Sequence, residues 1–199
     1  MDARRSFFDS AASKWDEIIE RDRHTKMLEE MVHGFGIREG DAILDVGTGT
    51  GVLLPLLVRA TGARGTIAAM DFSIKMLLAA AAHDFDMRPA FFNAGVAAIP
   101  FKEGSFDKVT CFSAFPHFPD QAKALAEMVR VLKAQGALFI AHLHSIEEIA
   151  DLHRGVGGPV GGDRLPDKKA MARLMSKAGL THIEIENEPG QFLALGRKG

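Results

Sequence analysis

The chain has 199 residues, 24 Lys plus Arg against 26 Asp plus Glu, and a formal net charge of −2. That length suits one domain burying roughly 70% of the surface its unfolded chain would expose, and the balanced charge without Lys/Arg blocks excludes a broad nucleic-acid footprint. No apolar run approaches the ~20 residues of a membrane-spanning helix, the start MDARRSFFDSAASKWDE lacks the apolar core of a secretory signal, and a lone cysteine, Cys111, excludes an internal disulfide framework or a cysteine-built metal cluster.

Ala11, Ala12, Trp15, Ile18 and Ile19 share a helical face, with Asp9 or Ser10 as a cap. The stripe breaks over 21–25 and resumes at Met27, Leu28, Met31 and Val32, so residues 1–39 read as a helical cap on a domain spanning 40–199. Short Val-, Ile- and Phe-rich runs then alternate with amphipathic segments, the pattern of βαβ units around a parallel sheet. Strands are expected at 42–46, 66–70, 89–92, 108–112, 137–143, 181–185 and 191–195. Helices are expected at 52–60, 74–83 behind a Ser73 cap, 121–133, 146–153 and 168–178. The stretch 155–166 holds five glycines and two prolines and reads as a linker or a lid.

The segment Ala42-Ile43-Leu44-Asp45-Val46-Gly47-Thr48-Gly49-Thr50-Gly51 carries the chemistry. A buried strand runs into a loop with glycine at alternate positions and then into a helix. Glycine turns sharply and lets the backbone approach a ligand, and the helix start behind it presents free N–H groups. Asp71 ends the next strand, where a carboxylate can accept from both hydroxyls of a ribose. The dinucleotide pattern G-x-G-x-x-G fails, because the sixth position is Val52 or Leu54 in the two frames. A phosphate loop fails too, since no lysine lies between Lys26 and Lys75. S-adenosylmethionine is left, and an acid before the glycines, Asp45, suits its ammonium group.

LDVGTGTG (44–51), AAMDFSIKML (68–77), AAIPFKEGSFDKVTCFSAFPHFPD (97–120) and EMVRVLKAQGALFIAHLHS (127–145) together resemble the motifs of the class I S-adenosylmethionine-dependent methyltransferases. The resemblance is greatest to the small-molecule branch that includes the ubiquinone and menaquinone biosynthesis enzymes. It implies a doubly wound, Rossmann-like α/β fold with a seven-stranded sheet of order 3-2-1-4-5-7-6, strand seven antiparallel. It implies that Asp45, Gly47, Thr48, Gly49 and Gly51 hold the methionine part, that Asp71 holds the ribose, and that Phe72 lies beside the adenine. It also implies that the backbone of Phe112, Ser113 and Ala114 meets the ammonium group. The acid that the family usually carries four positions before its Leu-Pro-Phe-like triplet, here Ile99-Pro100-Phe101, is replaced by Gly95. The adenine amino group is therefore expected at the backbone of Gly95 or Val96, or at Asn93.

The histidines are the remaining polar candidates. His117 follows strand four at the ligand-binding edge, and His142 and His144 share a face of strand five. His153 ends the next helix and can fold back. His117 or His144 is a candidate general base, His142, His144 and His153 are the candidates for a metal site, and pocket lining is the third reading. In similar enzymes N-terminal helices close over the cofactor. The expectation is thus a cytoplasmic enzyme moving a methyl group to a small-molecule acceptor, with no nucleic-acid or membrane partner and a homodimer possible. The alternatives are a cofactor-binding module without catalysis, or an acceptor of the metal-bound or tetrapyrrole kind.

Overall fold

The computed structural model describes residues 3–15 and 25–199. Ile18, Ile19 and His24 lie outside the described residues. The elements are α1 (Ala3–Ala11), a 3-10 turn (Ala12–Lys14), α2 (Thr25–Gly34), β1 (Ala42–Val46), α3 (Leu54–Thr61), β2 (Thr66–Asp71), α4 (Ile74–Ala81), β3 (Ala90–Asn93) and β4 (Phe106–Phe112). A second 3-10 turn (Phe115–His117) follows, then α5 (Gln121–Val131), β5 (Leu132–His142), α6 (Ile146–Val156), a third 3-10 turn (Gly158–Val160), α7 (Lys168–Lys177), β6 (Leu180–Glu188) and β7 (Gln191–Lys198). The strands form one sheet of order β3-β2-β1-β4-β5-β7-β6. The first five run parallel, and β7 is antiparallel to β5 and β6. This is the expected Rossmann-like topology.

β1 is buried on both faces, as central parallel strands are. Leu44 and Val46 pack on one side with Val109, Cys111, Leu138 and Ile140, and Ile43 packs on the other with Ile67, Ala69 and Phe139. Two apolar faces do not by themselves fix a register. The polar pair Asp45 and Thr110, directly opposite one another on β1 and β4, does so: a slip would leave a buried carboxylate without its hydroxyl.

Capping follows local chemistry. Ser73, Asp120, Ser145 and Asp167 each accept a backbone N–H of their own first turn, and Ser145 with Glu148 completes a capping box. The expected cap at Asp9 or Ser10 is not one. Both lie inside α1, where the Ser10 hydroxyl bonds Ser6 O and the Asp9 carboxylate accepts from Ser73. The loop after β3 is clamped by one turn of α5. Arg130 donates to the carbonyls of Ile99 and Phe101, and Glu127 accepts from Ile99 N at 2.8 Å.

The helix expected to reach residue 133 stops at Val131, because tertiary pairing takes over from helical periodicity. Ser105 N donates to Val131 O, Leu132 turns extended (ψ 140°) and pairs with Phe106, and Lys133 meets Asp107 at 2.8 Å. β5 is correspondingly longer than read, and Gln135 turns within it at φ +62°.

Candidate functional site

The site forms at the C-terminal edge of β1, β2, β4 and β5. Gly47, Gly49 and Gly51 take φ of +71°, +56° and +84°, a region costly for side-chain-bearing residues. Their reasons differ. A Cβ on Gly47 would lie 2.4 Å from the Ala114 Cβ, and one on Gly51 would lie 3.0 Å from the Ala80 Cβ, so both glycines permit close packing. A Cβ on Gly49 would meet only the Trp15 Nε1, at 3.9 Å, so the middle of the loop faces the space under the N-terminal segment.

Asp45 is turned inward, 2% exposed. Its two oxygens accept from Thr48 and Thr110, each at 2.7 Å, and burial raises its pKa despite those bonds. On sequence alone its charge suits an ammonium group; in the structure the carboxylate braces the loop from beneath. Thr48 thereby spends its hydroxyl on Asp45. His83, read from sequence as an ordinary surface or cap histidine, meets Thr50 O through Nε2 at 2.9 Å and anchors the far side of the loop.

Asp71 accepts from Gly49 N at 2.9 Å and from Ser73 N at 2.8 Å, one bond to each oxygen. Burial pushes its carboxyl up to about 6, against the pull of those two donors. Each oxygen keeps a lone pair for a second donor, which is what a vicinal diol requires. The residues present therefore fit a ribose. Phe72 follows directly, beneath Phe8, with ring centroids 5.7 Å apart. Gly95 is exposed with nothing within 4 Å of where a Cβ would stand, and Val96 is half-buried beside it. Asn93 donates its amide to Asp71 O at 3.0 Å and so braces the strand end.

After β4, Phe112 is half-buried and Ser113 adopts φ +51°, a conformation costing a non-glycine residue on the order of 1 kcal/mol. Its N–H bonds Ala141 O, and the turn brings Ala114 against Gly47. Beyond it, His117, His142, His144 and His153 gather above β4 and β5. The His117 and His153 rings are 4.8 Å apart, and all three neighbours bear electrostatically on His142. His142 is the deepest, 4% exposed, with Nε2 lacking a partner among the described residues. Burial first, then the neighbouring imidazoles, press its pKa down to about 3. Burial also lowers that of His153. Among the described residues no group of three or more His, Cys, Asp or Glu is placed to hold a metal ion, so His142, His144 and His153 do not assemble as one.

Sequence reasoning missed Asp163, Arg4 and the use of the 155–166 stretch. Asp163 is 5% exposed. It receives His117 Nδ1 at 2.8 Å and the Arg4 guanidinium, and its backbone oxygen meets His153 Nδ1 at 2.9 Å. No spacing rule links residues 46 and 159 positions apart. The one available sign was an acid inside a glycine-rich stretch.

A glycine loop on β1, a carboxylate ending β2 and this strand order define a Rossmann-like α/β domain. The methyltransferase-domain family model matches residues 44–140. The demethylmenaquinone methyltransferase of Staphylococcus aureus is 34% identical, the match covering 94% of this chain and 89% of the relative. The ubiquinone/menaquinone biosynthesis C-methyltransferase of Francisella philomiragia is 24% identical, over 94% and 87%. Among solved structures, an Aquifex aeolicus S-adenosylmethionine-dependent methyltransferase superposes with a TM-score of 0.71 at 22% identity, over 94% of this chain and 98% of that one. A chain of the complex between the Haloferax volcanii Trm112 methyltransferase activator and its methyltransferase reaches 0.81 at 24%, over 96% of each. The chain belongs to the class I S-adenosylmethionine-dependent methyltransferases and is similar to their quinone-biosynthesis members. None of its described helices is long and apolar enough to cross a membrane.

Proposed function

We propose that this chain binds S-adenosylmethionine across Asp71 and the Gly47–Gly51 loop and methylates a small-molecule acceptor held beneath α1, with His117 as general base. The observation that carries the reading is Asp71, a buried carboxylate whose two oxygens are already aimed by Gly49 N and Ser73 N. When bound, the cofactor supplies an activated methyl group on a sulfonium, and the S–CH3 electron pair stays on sulfur.

The rest is the work of the protein. Gly47, Thr48, Gly49 and Gly51 would hold the methionine part, with Asp45 acting through Thr48. Phe112, Ser113 and Ala114 would offer backbone groups to the ammonium. Phe72, Gly95 and Val96 would bound the adenine. α1 covers this side: Phe8 packs on Phe72 and, at 5.1 Å, on the His117 ring, which excludes water from the reacting atoms. His117 accepts the proton that an O–H, N–H or S–H acceptor, or the methylated ring carbon of a hydroquinone, loses as the new bond to the methyl carbon forms. His144, half-buried at the end of β5, lines the same space. Positioning of this kind contributes on the order of 7–11 kcal/mol to a barrier. Similarity to quinone-biosynthesis enzymes favours a reduced quinone, an electron-rich ring bearing acidic hydroxyls, as the acceptor.

The test uses the sole tryptophan, Trp15, which sits beside Gly49. Titration with S-adenosylhomocysteine should change its fluorescence with a saturable, micromolar-range curve, and with S-adenosylmethionine supplied instead, 1,4-naphthoquinol should be methylated with release of S-adenosylhomocysteine. No binding ends the reading. Binding with no turnover on naphthoquinol, simple phenols, thiols or amines makes the chain a cofactor-binding module.

A further inference from the structure

Arg4, His117 and His153 converge on Asp163. Its carboxylate lies between α1, which supplies Arg4, and the 3-10 turn after β4, which supplies His117. Its backbone oxygen takes His153 Nδ1 from α6 and the Arg164 guanidinium at 2.7 Å, and its N–H bonds Val160 O. Burial pushes the Asp163 carboxyl up, but the hydrogen bonds from His117 and Arg4 outweigh it and hold the group below the usual carboxylate range. An ionised carboxylate only accepts. The proton in the 2.8 Å contact therefore sits on His117 Nδ1, and a neutral ring so bonded presents Nε2 as a bare lone pair. The ring is also confined between Phe8 at 5.1 Å and His153 at 4.8 Å, so it does not turn freely to exchange its nitrogens.

We propose that Asp163 is a positioning residue. It fixes His117 in the Nδ1–H tautomer, with Nε2 ready to accept a proton, and through Arg4 it ties that arrangement to the docking of α1 over the site. The inference rests on the reading of His117 as general base. Its logic is that of a carboxylate behind a catalytic imidazole, where the acid sets tautomer and orientation and does not itself touch the acceptor. The sequence places the parts at positions 4, 117 and 163, so the base is completed only when the N-terminal helix, the β4 exit and the 157–166 stretch are all in place.

The decisive measurement is long-range 1H–15N correlation on the full chain labelled at histidine, with the His117 signals assigned by their loss in His117→Gln. The wild type should show the Nδ1–H tautomer. Asp163→Asn, which offers an amide N–H toward Nδ1, should show Nε2–H, and Asp163→Glu should restore the wild-type pattern. With 1,4-naphthoquinol as acceptor probe, Asp163→Asn should lower turnover by at least about tenfold, part of the roughly 10²- to 10⁴-fold that a placed base contributes. Affinity for S-adenosylhomocysteine, read from Trp15, should change by less than about threefold. An Nε2–H tautomer in the wild type overturns the proposal whether or not any variant folds, and so does a folded Asp163→Asn that keeps Nδ1–H. Failure of the wild type to bind S-adenosylhomocysteine removes the Proposed function instead, and leaves the tautomer result standing.

Discussion

The two halves of the site are held by different kinds of bond. On the cofactor side, Asp45, Thr48, Gly49, Asp71 and Ser73 are held across separations of 2 to 22 residues, apart from Thr110, with backbone N–H groups donating to Asp71 and threonine hydroxyls to Asp45. On the acceptor side, the side chains of Arg4 and His117 meet the Asp163 carboxylate and that of His153 meets the Asp163 backbone oxygen, across separations of 10 to 159 residues. The first half keeps its shape as long as two strands and a loop fold. The second exists only when the whole tertiary structure is assembled, including α1.

The sharpest way to break the contrast is Gly47→Ala. The new methyl would stand 2.4 Å from the Ala114 Cβ in a backbone conformation of φ +71°, with neither side free to move. We expect a loss of at least ~3 kcal/mol in chemical denaturation, the range of overpacking combined with backbone strain. A variant as stable as the wild type would show that the loop is not rigid. Next comes Asp71→Ala, which should weaken S-adenosylhomocysteine binding by ~1–3 kcal/mol, measured by calorimetry. The wild type carries the same effect in its pH dependence. The Asp71 carboxyl sits at about 6, so below that pH the free protein is protonated there and must lose the proton to accept from both hydroxyls. Affinity should therefore fall as pH drops through 6. The stability term has the opposite sign. A folded value raised above the ordinary 3.8 contributes stability that is fully present below 3.8 and is lost as pH rises from there through about 6.

The same division explains what was readable in the sequence. The Gly47–Gly51 loop and Asp71 were legible because they are local: alternating glycines, a strand-ending acid and a Ser73 cap are each visible in a short window, whereas the strand order came only from the family resemblance. Lys133 was misassigned to a helix because its partner, Asp107, lies across the sheet. Asp163 was invisible because neither composition nor spacing in 155–166 points to positions 4 and 117. The histidine positions were seen, but their ranking was not. His142 is the deeply buried one of its pair, and its Nε2 lacks a partner among the described residues. Burial by Phe192 and the neighbouring imidazoles is a property of the packed state.

His142 gives a prediction on the acceptor side. Its folded value of about 3 lies below the ordinary 6.5, so unfolding takes up a proton at any pH between them, and the protein loses stability as pH falls through 6.5. At pH 5 the loss relative to neutral pH should be about 2 kcal/mol from this residue alone. His142→Phe should remove that share of the acid destabilisation, seen as a flatter plot of urea midpoint against pH from 7.5 to 5. An unchanged slope would mean that His142 is not buried in the neutral form.

The smallest effect sharpens the cofactor side. Gly95 differs from the loop glycines, for its φ lies outside the left-handed region and a Cβ there has open space around it. Gly95→Ala should therefore stay within about 0.5 kcal/mol of the wild type in stability, as exposed substitutions do. Gly95→Asp places a carboxylate where the family usually carries an acid for the adenine amino group. If the adenine lies there, the gain is one hydrogen bond to a charged acceptor, weakened by exposure to water, and S-adenosylhomocysteine should bind roughly two- to tenfold more tightly. Inosine-based S-inosylhomocysteine, which has a carbonyl in place of the amino group, should gain nothing. Equal gains for both ligands would mean the new charge acts at a distance, and a loss for both would put the base elsewhere than beside Gly95.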